Sequence, residues 1–142
     1  MKWWRSIVVM YHNVFNIKFA LISAVFQGCV AMWVNRTYGL ETFVMAGLTQ
    51  AATSFLSTGV TARVIQHFSP IPSVLISYTL GSLVPTTMTF VMSFSAHLFN
   101  GTPEVLKSCI TPTLVSFGTS FITNHLTRHG RLLPGNYRRT HE

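Results

Sequence analysis

The sequence predicts an all-α polytopic membrane protein, with four transmembrane helices paired as two helical hairpins and a short amphipathic interfacial helix ahead of them. Three observations carry this. Residues 19–35, 42–62, 68–96 and 108–124 contain no Lys, Arg, Asp, Glu or His, and each is near the roughly 20 residues a helix needs to cross a bilayer. Charged side chains make up 9% of the 142 residues, against about a quarter in a soluble domain, too few to cover a water-facing surface. The basic residues collect toward the two termini, the pattern that orients membrane proteins.

The elements follow in order within a single membrane domain, 1–142. Residues 1–14 read as an interfacial helix, because Trp4, Ile7, Val8, Tyr11 and Phe15 recur on one face and Lys2 and Arg5 lie elsewhere. The equal alternative is an extension of the first span. The apolar run 7–10 is too short for a signal-peptide core, so no removable leader is expected. The first span covers about 15–34 and ends in a turn at Asn35 to Gly39. The second covers 43–64. Ser69-Pro70-Ile71-Pro72-Ser73 must be a loop, since each proline holds its predecessor extended. The third span covers 74–98. Thr102-Pro103-Glu104 then predicts a helix start, with Thr102 as N-cap and an acid in the first turn. The fourth span covers 105–126, and 127–142 form a basic tail.

Eight basic residues (Lys2, Arg5, Lys18, Arg63, Arg128, Arg131, Arg138, Arg139) fall on one predicted side and two (Arg36, Lys107) on the other. The positive-inside rule therefore expects both termini in the cytoplasm, in an inner or cytoplasmic membrane. The net charge of +7 does not suggest nucleic acid, because no basic stripe runs along one face. Internal repetition is faint: placing Thr49 on Thr111 aligns Ser54 with Ser116, Phe55 with Phe117, Thr61 with Thr123 and His67 with His129.

Polar residues within the spans are the candidate functional groups. Folding the first pair about its turn puts Gln27 opposite Gln50 at one depth, where two amides could bond each other as interhelical glue or line a pocket. Ser54, Thr58 and Ala62 form a small-xxx-small ladder on the second span, and Ser116 and Ser120 belong to a similar face on the fourth. Packing is the favoured use of these faces and a solute path the alternative. Pro85 and Pro112 fall inside spans and predict kinks. Arg63, Arg128 and Arg131 are placed to meet anionic lipid headgroups, with a solvated topogenic tail an even alternative.

Six histidines raise a haem reading, but their positions, His97 included, read as interfacial rather than as an inward-facing pair at one depth. Cys29 and Cys109 fit no metal or redox spacing, so no cofactor is expected. Asn35 and Asn100 each open a glycosylation sequon, with proline and the nearby membrane arguing against use. Neither a Gly-rich phosphate loop nor a carboxylate pair is present, so no enzyme is expected. The leading expectation is a non-catalytic membrane subunit or homo-oligomer, assembling through its small and hydroxyl faces and binding lipid at a basic rim. A small transporter or channel with a Ser/Thr/Gln-lined path comes second, and a haem-bearing redox subunit third.

Overall fold

The computed structural model describes residues 17–129. The interfacial helix expected over 1–14 and most of the basic tail, Arg131 included, lie outside the described residues. The described residues form four α-helices, α1 (Ile17–Val34), α2 (Leu40–Phe68), α3 (Val74–Phe99) and α4 (Val105–Arg128), with a 3₁₀ turn at Arg36–Tyr38 between α1 and α2.

Local chemistry explains the ends. α1 stops where the Asn35 side chain donates to the Ala31 carbonyl at 2.9 Å, a bond that competes with another helical turn. Gly39, at φ 90°, then reverses the chain into α2. α3 ends in a Schellman turn: Gly101 sits at φ 62°, its N–H donates to the Leu98 carbonyl, and the Thr102 N–H donates to the His97 carbonyl. The start of α4 corrects an expectation. Glu104 rather than Thr102 precedes the first turn, and no side chain caps it. The Thr102 hydroxyl is taken by His97 instead. α3 and α4 run on through Pro85 and Pro112.

α1 packs on α2, α2 on α3 and α3 on α4, whereas α1 and α4 touch only slightly. Small residues set the α1–α2 approach. A Cβ on Gly28 would lie 3.0 Å from the Gly47 carbonyl oxygen and 3.1 Å from Ala51 Cβ, so the backbones meet closely at this point. The predicted ladder of Ser54, Thr58 and Ala62 does not make such an approach; it faces a cavity.

The bundle is inverted relative to a soluble fold. Its largest fully buried side chains are His97, Gln27, Gln50, Asn35 and Asn124, and its buried apolar residues are mostly alanines. Large apolar side chains such as Leu48, Leu75, Leu83, Leu114 and Ile122 point outward. Water-soluble proteins bury these types and expose the others. α3 and α4 are each long and apolar enough to cross a membrane, and only 28% and 22% of their most apolar windows is buried. α1 is apolar but shorter over its well-described part, Ala20–Val34. α2 has 29 residues, but Glu41, Gln50, Arg63 and its many hydroxyls dilute its hydropathy.

Shifting the first half by 62 residues superposes more than the sequence matches suggested. Gly39 falls on Gly101, and among the described residues these are the two glycines with positive φ. The buried positions Ala20, Gln27, Ala31 and Asn35 of the α1 side fall on Ser82, Thr89, Ser93 and His97. The two helix pairs share a plan that their side chains fill differently.

Candidate functional site

Small and polar residues on α3 recur at every fourth position, Ser77, Gly81, Pro85, Thr89, Ser93 and His97, and all are buried. This spacing makes one stripe of a helix and aims it at the bundle axis. His97 ends the stripe and is completely buried, which corrects its expected place at the headgroups. Its Nε2 lies 2.9 Å from Gln50 Oε1, and its Nδ1 lies 3.0 Å from the Thr102 hydroxyl. An amide oxygen only accepts, so Nε2 carries the proton; Nδ1 of the neutral ring then accepts from Thr102. The Gln50 Nε2 donates to Ser54 Oγ at 2.8 Å and to Ser93 Oγ at 3.4 Å. This chain of bonds seals α2 against α3.

Gln27 and Gln50 do not pair. Among the described residues no hydrogen bond joins them, because His97 reaches Gln50 from α3. Gln27 is 2% exposed, and its Oε1 has no partner.

The α1–α4 seam is tied at one end alone. Asn35 Nδ2 donates to Ser108 Oγ at 2.9 Å, and Asn35 Oδ1 accepts from the Glu104 N–H at 3.3 Å. Asn35 is fully buried and fully used, so it cannot serve as a glycosylation acceptor. Outside this tie, Glu104 Oε1 accepts from the Tyr38 hydroxyl and from Lys107 Nζ, both at 2.9 Å. The Lys107 bond, then the Tyr38 bond, hold the Glu104 carboxyl below its ordinary range. The same carboxylate raises the Tyr38 phenol.

The opposite end is tied within α3, α4 and the loop between α2 and α3. Asn124 Nδ2 donates to the Ser77 carbonyl at 3.2 Å. The Arg128 guanidinium donates to the carbonyls of Ser69, Ile71 and Pro72 at 3.2, 2.6 and 3.0 Å. Arg128 therefore gives three of its donors to the α2–α3 loop. Arg63 is exposed on α2. The Tyr78 hydroxyl is hydrogen-bonded to His125 Nδ1.

Below the Asn35 tie the α1–α4 seam opens into a cavity of about 300 Å³. Gln27, Ser54, Thr58, Pro112, Ser116 and Ser120 all line it, so six of the residues singled out in the sequence meet in one place. It extends along α4 from Pro112 to Thr123, about 16 Å of helix rise. No ionisable side chain is among the lining residues. Sequence reasoning missed His97, Asn35 and Asn124, and the fourfold spacing on α3 was the available signal for the first. No family model matches this chain, and no curated protein or solved structure does either.

Proposed function

We propose that the protein is a four-span integral membrane protein of two helical hairpins. Its termini lie on the cytoplasmic side of an inner or cytoplasmic membrane, and the α1–α4 cavity serves as a carrier site for an uncharged cargo. Inverted polarity supports four spans: the outward apolar residues include Leu21, Val25 and Trp33 on α1 and Leu48 and Leu56 on α2 as well as those of α3 and α4. Such a surface is costly in water and favourable in lipid. The eight-to-two split of basic residues supports the orientation.

The observation that carries the carrier reading is the meeting of the hydroxyl faces of α2 and α4 across a cavity rather than against each other. A lining with no charge and no base to activate its hydroxyls suits binding and release, and it disfavours an ionic cargo, which would need a counter-charge in the membrane. Reconstitution tests this. Proteoliposomes are expected to take up a member of a panel of uncharged solutes and to show no ion conductance. Ser116→Phe, which fills the cavity, is expected to stop uptake. Equal uptake with the cavity filled would end the carrier reading.

A second reading has its own support. The slight α1–α4 contact leaves apolar walls at Ile22 and Phe26, 68% and 55% exposed, which a second copy or another membrane subunit could cover. A single defined oligomer in mild detergent that dissociates on Phe26→Ala would favour assembly over carriage.

A further inference from the structure

We infer that the cavity takes an uncharged amphiphile from the bilayer, with a head that donates hydrogen bonds, such as a long-chain alcohol or a primary amide. This rests on the carrier reading of the cavity and adds the class of cargo. Gln27 is the first observation. It is 2% exposed, it lines the cavity, and its Oε1 has no partner. A buried amide oxygen left unbonded is costly; a turn of the Gln27 side chain brings this one, closed off as it stands, to a ligand donor in the cavity, and the bond removes that cost.

The hydroxyls around it supply the second. Ser57 and Thr58 donate to the Ser54 carbonyl, Thr61 to the Ser57 carbonyl and Thr119 to the Val115 carbonyl. Their hydrogens are spent on their own helices, and what each offers the cavity is an oxygen lone pair. These four oxygens and Gln27 Oε1 give a ligand donor several acceptors, beside the hydroxyls of Ser23, Ser54, Ser120 and Thr123, which keep a hydrogen to give. With no Lys, Arg or His in the lining, nothing meets a phosphate or carboxylate. With no Asp or Glu, nothing offsets a cation in lipid. The head is therefore neutral.

The seam's shape supplies the tail. The cavity holds about 300 Å³, roughly ten water volumes, enough for a head and a short length of chain. Ile22 and Phe26 line it and are themselves exposed on α1. A hydrocarbon tail continuing past them stays in an apolar environment throughout. The Asn35–Ser108 tie closes the other direction.

The test is photolabelling of the reconstituted full-length protein with a diazirine-bearing long-chain alcohol. The label is expected in peptides from α1, α2 and α4 and not on the outer face of α3. Unlabelled alcohol is expected to compete, and so is the primary amide of equal length. The methyl ether, which accepts but cannot donate, and the carboxylate should not. Gln27→Leu should weaken labelling roughly fivefold, as expected for one hydrogen bond. Ser116→Phe should abolish it, and Leu114→Ala, on the outer face, should leave it unchanged. Competition by the ether as good as by the alcohol, or full labelling of Gln27→Leu, would overturn the inference. Uptake of small polyols without specific alcohol labelling sinks the inference and spares the carrier reading. Labelling without any transport across the proteoliposome membrane supports the inference and sinks the carrier.

Discussion

Between α2 and α3 the bundle is tied by Gln50, which bonds His97 and Ser93, and at the far end by Ser77 on the Ser69 carbonyl, whereas between α1 and α4 it is tied at one end and open below. The 62-residue shift that carries α1 onto α3 and α2 onto α4 relates these two seams, so their difference lies in the side chains. Gln50, which bonds His97, Ser54 and Ser93, corresponds to Pro112, which has no amide to offer. His97 corresponds to Asn35, whose shorter side chain reaches Ser108 and Glu104 near the turn. Thr89, bonded to Ser116 at 3.0 Å, corresponds to the unpartnered Gln27. One plan of buried positions thus gives bonded side chains on α3, Thr89 to α4 and His97 to α2, and a vacant acceptor at Gln27 on α1.

Breaking the sealed seam should have the largest effect. His97→Leu keeps comparable bulk but leaves the Gln50 amide oxygen and the Thr102 hydroxyl buried without partners. At roughly 1–2 kcal/mol for each, the loss is about 2–4 kcal/mol. A marked fall in apparent Tm in mild detergent is expected, and an unchanged Tm would show that the His97 bonds do not hold the seam. Arg128→Ala comes next. It frees three carbonyls of the loop that joins α2 to α3, and hydrogen bonds from a charged donor are the stronger kind. A loss of about 2 kcal/mol is expected by the same measurement, since the group is only half-buried.

The third substitution should have the opposite sign. Gln27→Leu removes a buried, unbonded amide oxygen, so it should raise stability by about 1 kcal/mol while weakening the ligand site. Gln50→Leu, at the better-bonded glutamine, should destabilise. If both variants lose stability equally, Gln27 has a structural partner and the contrast between the seams fails.

The helices and their hydroxyl faces were legible because each rests on local pattern: absent charge, proline and glycine punctuation, and Ser and Thr at helical spacing. Gln27 and Gln50 were legible as deep polar positions, but their partners were not. Folding one pair of helices in isolation sets them opposite each other, and the competing partner, His97, arrives from a third helix 47 residues away. Asn35 and Asn124 were hidden for a related reason. Asparagine at a helix end reads as a turn former, and its burial depends on which helix covers that end. The bonds of Arg128 to the α2–α3 loop were hidden because the backbone carbonyls that accept them lie in a loop whose shape no periodicity specifies. The repeat was faint in residue identity and plainer in burial, since selection of a stripe tolerates exchange of Ala for Ser or Asn for His.

The smallest predicted effect concerns the tie that closes one end of the open seam. Glu104 bonds Asn35 through its backbone and Tyr38 and Lys107 through its carboxylate. Its depressed pKa means the folded state favours the carboxylate. That contribution is complete above the free glutamate value and is lost as pH falls through the lower, folded value. Tyr38 works at the other limit. Its raised pKa favours the neutral phenol, a contribution present below the free tyrosine value and lost as pH rises through the folded one, above about pH 10. Apparent Tm should therefore decline at both extremes, modestly because these groups are in contact with water. Glu104→Gln should flatten the acid limb and weaken the basic one, because the carboxylate is the chief cause of the Tyr38 shift. Tyr38→Phe should remove only the phenol's share of the basic limb, because Glu104 also raises Lys107, and should leave most of the acid limb, since Lys107 is the larger cause of the Glu104 shift. If both variants track the unaltered protein at both extremes, the tie lies in the Asn35–Ser108 bond alone and the surface cluster adds nothing to the seam.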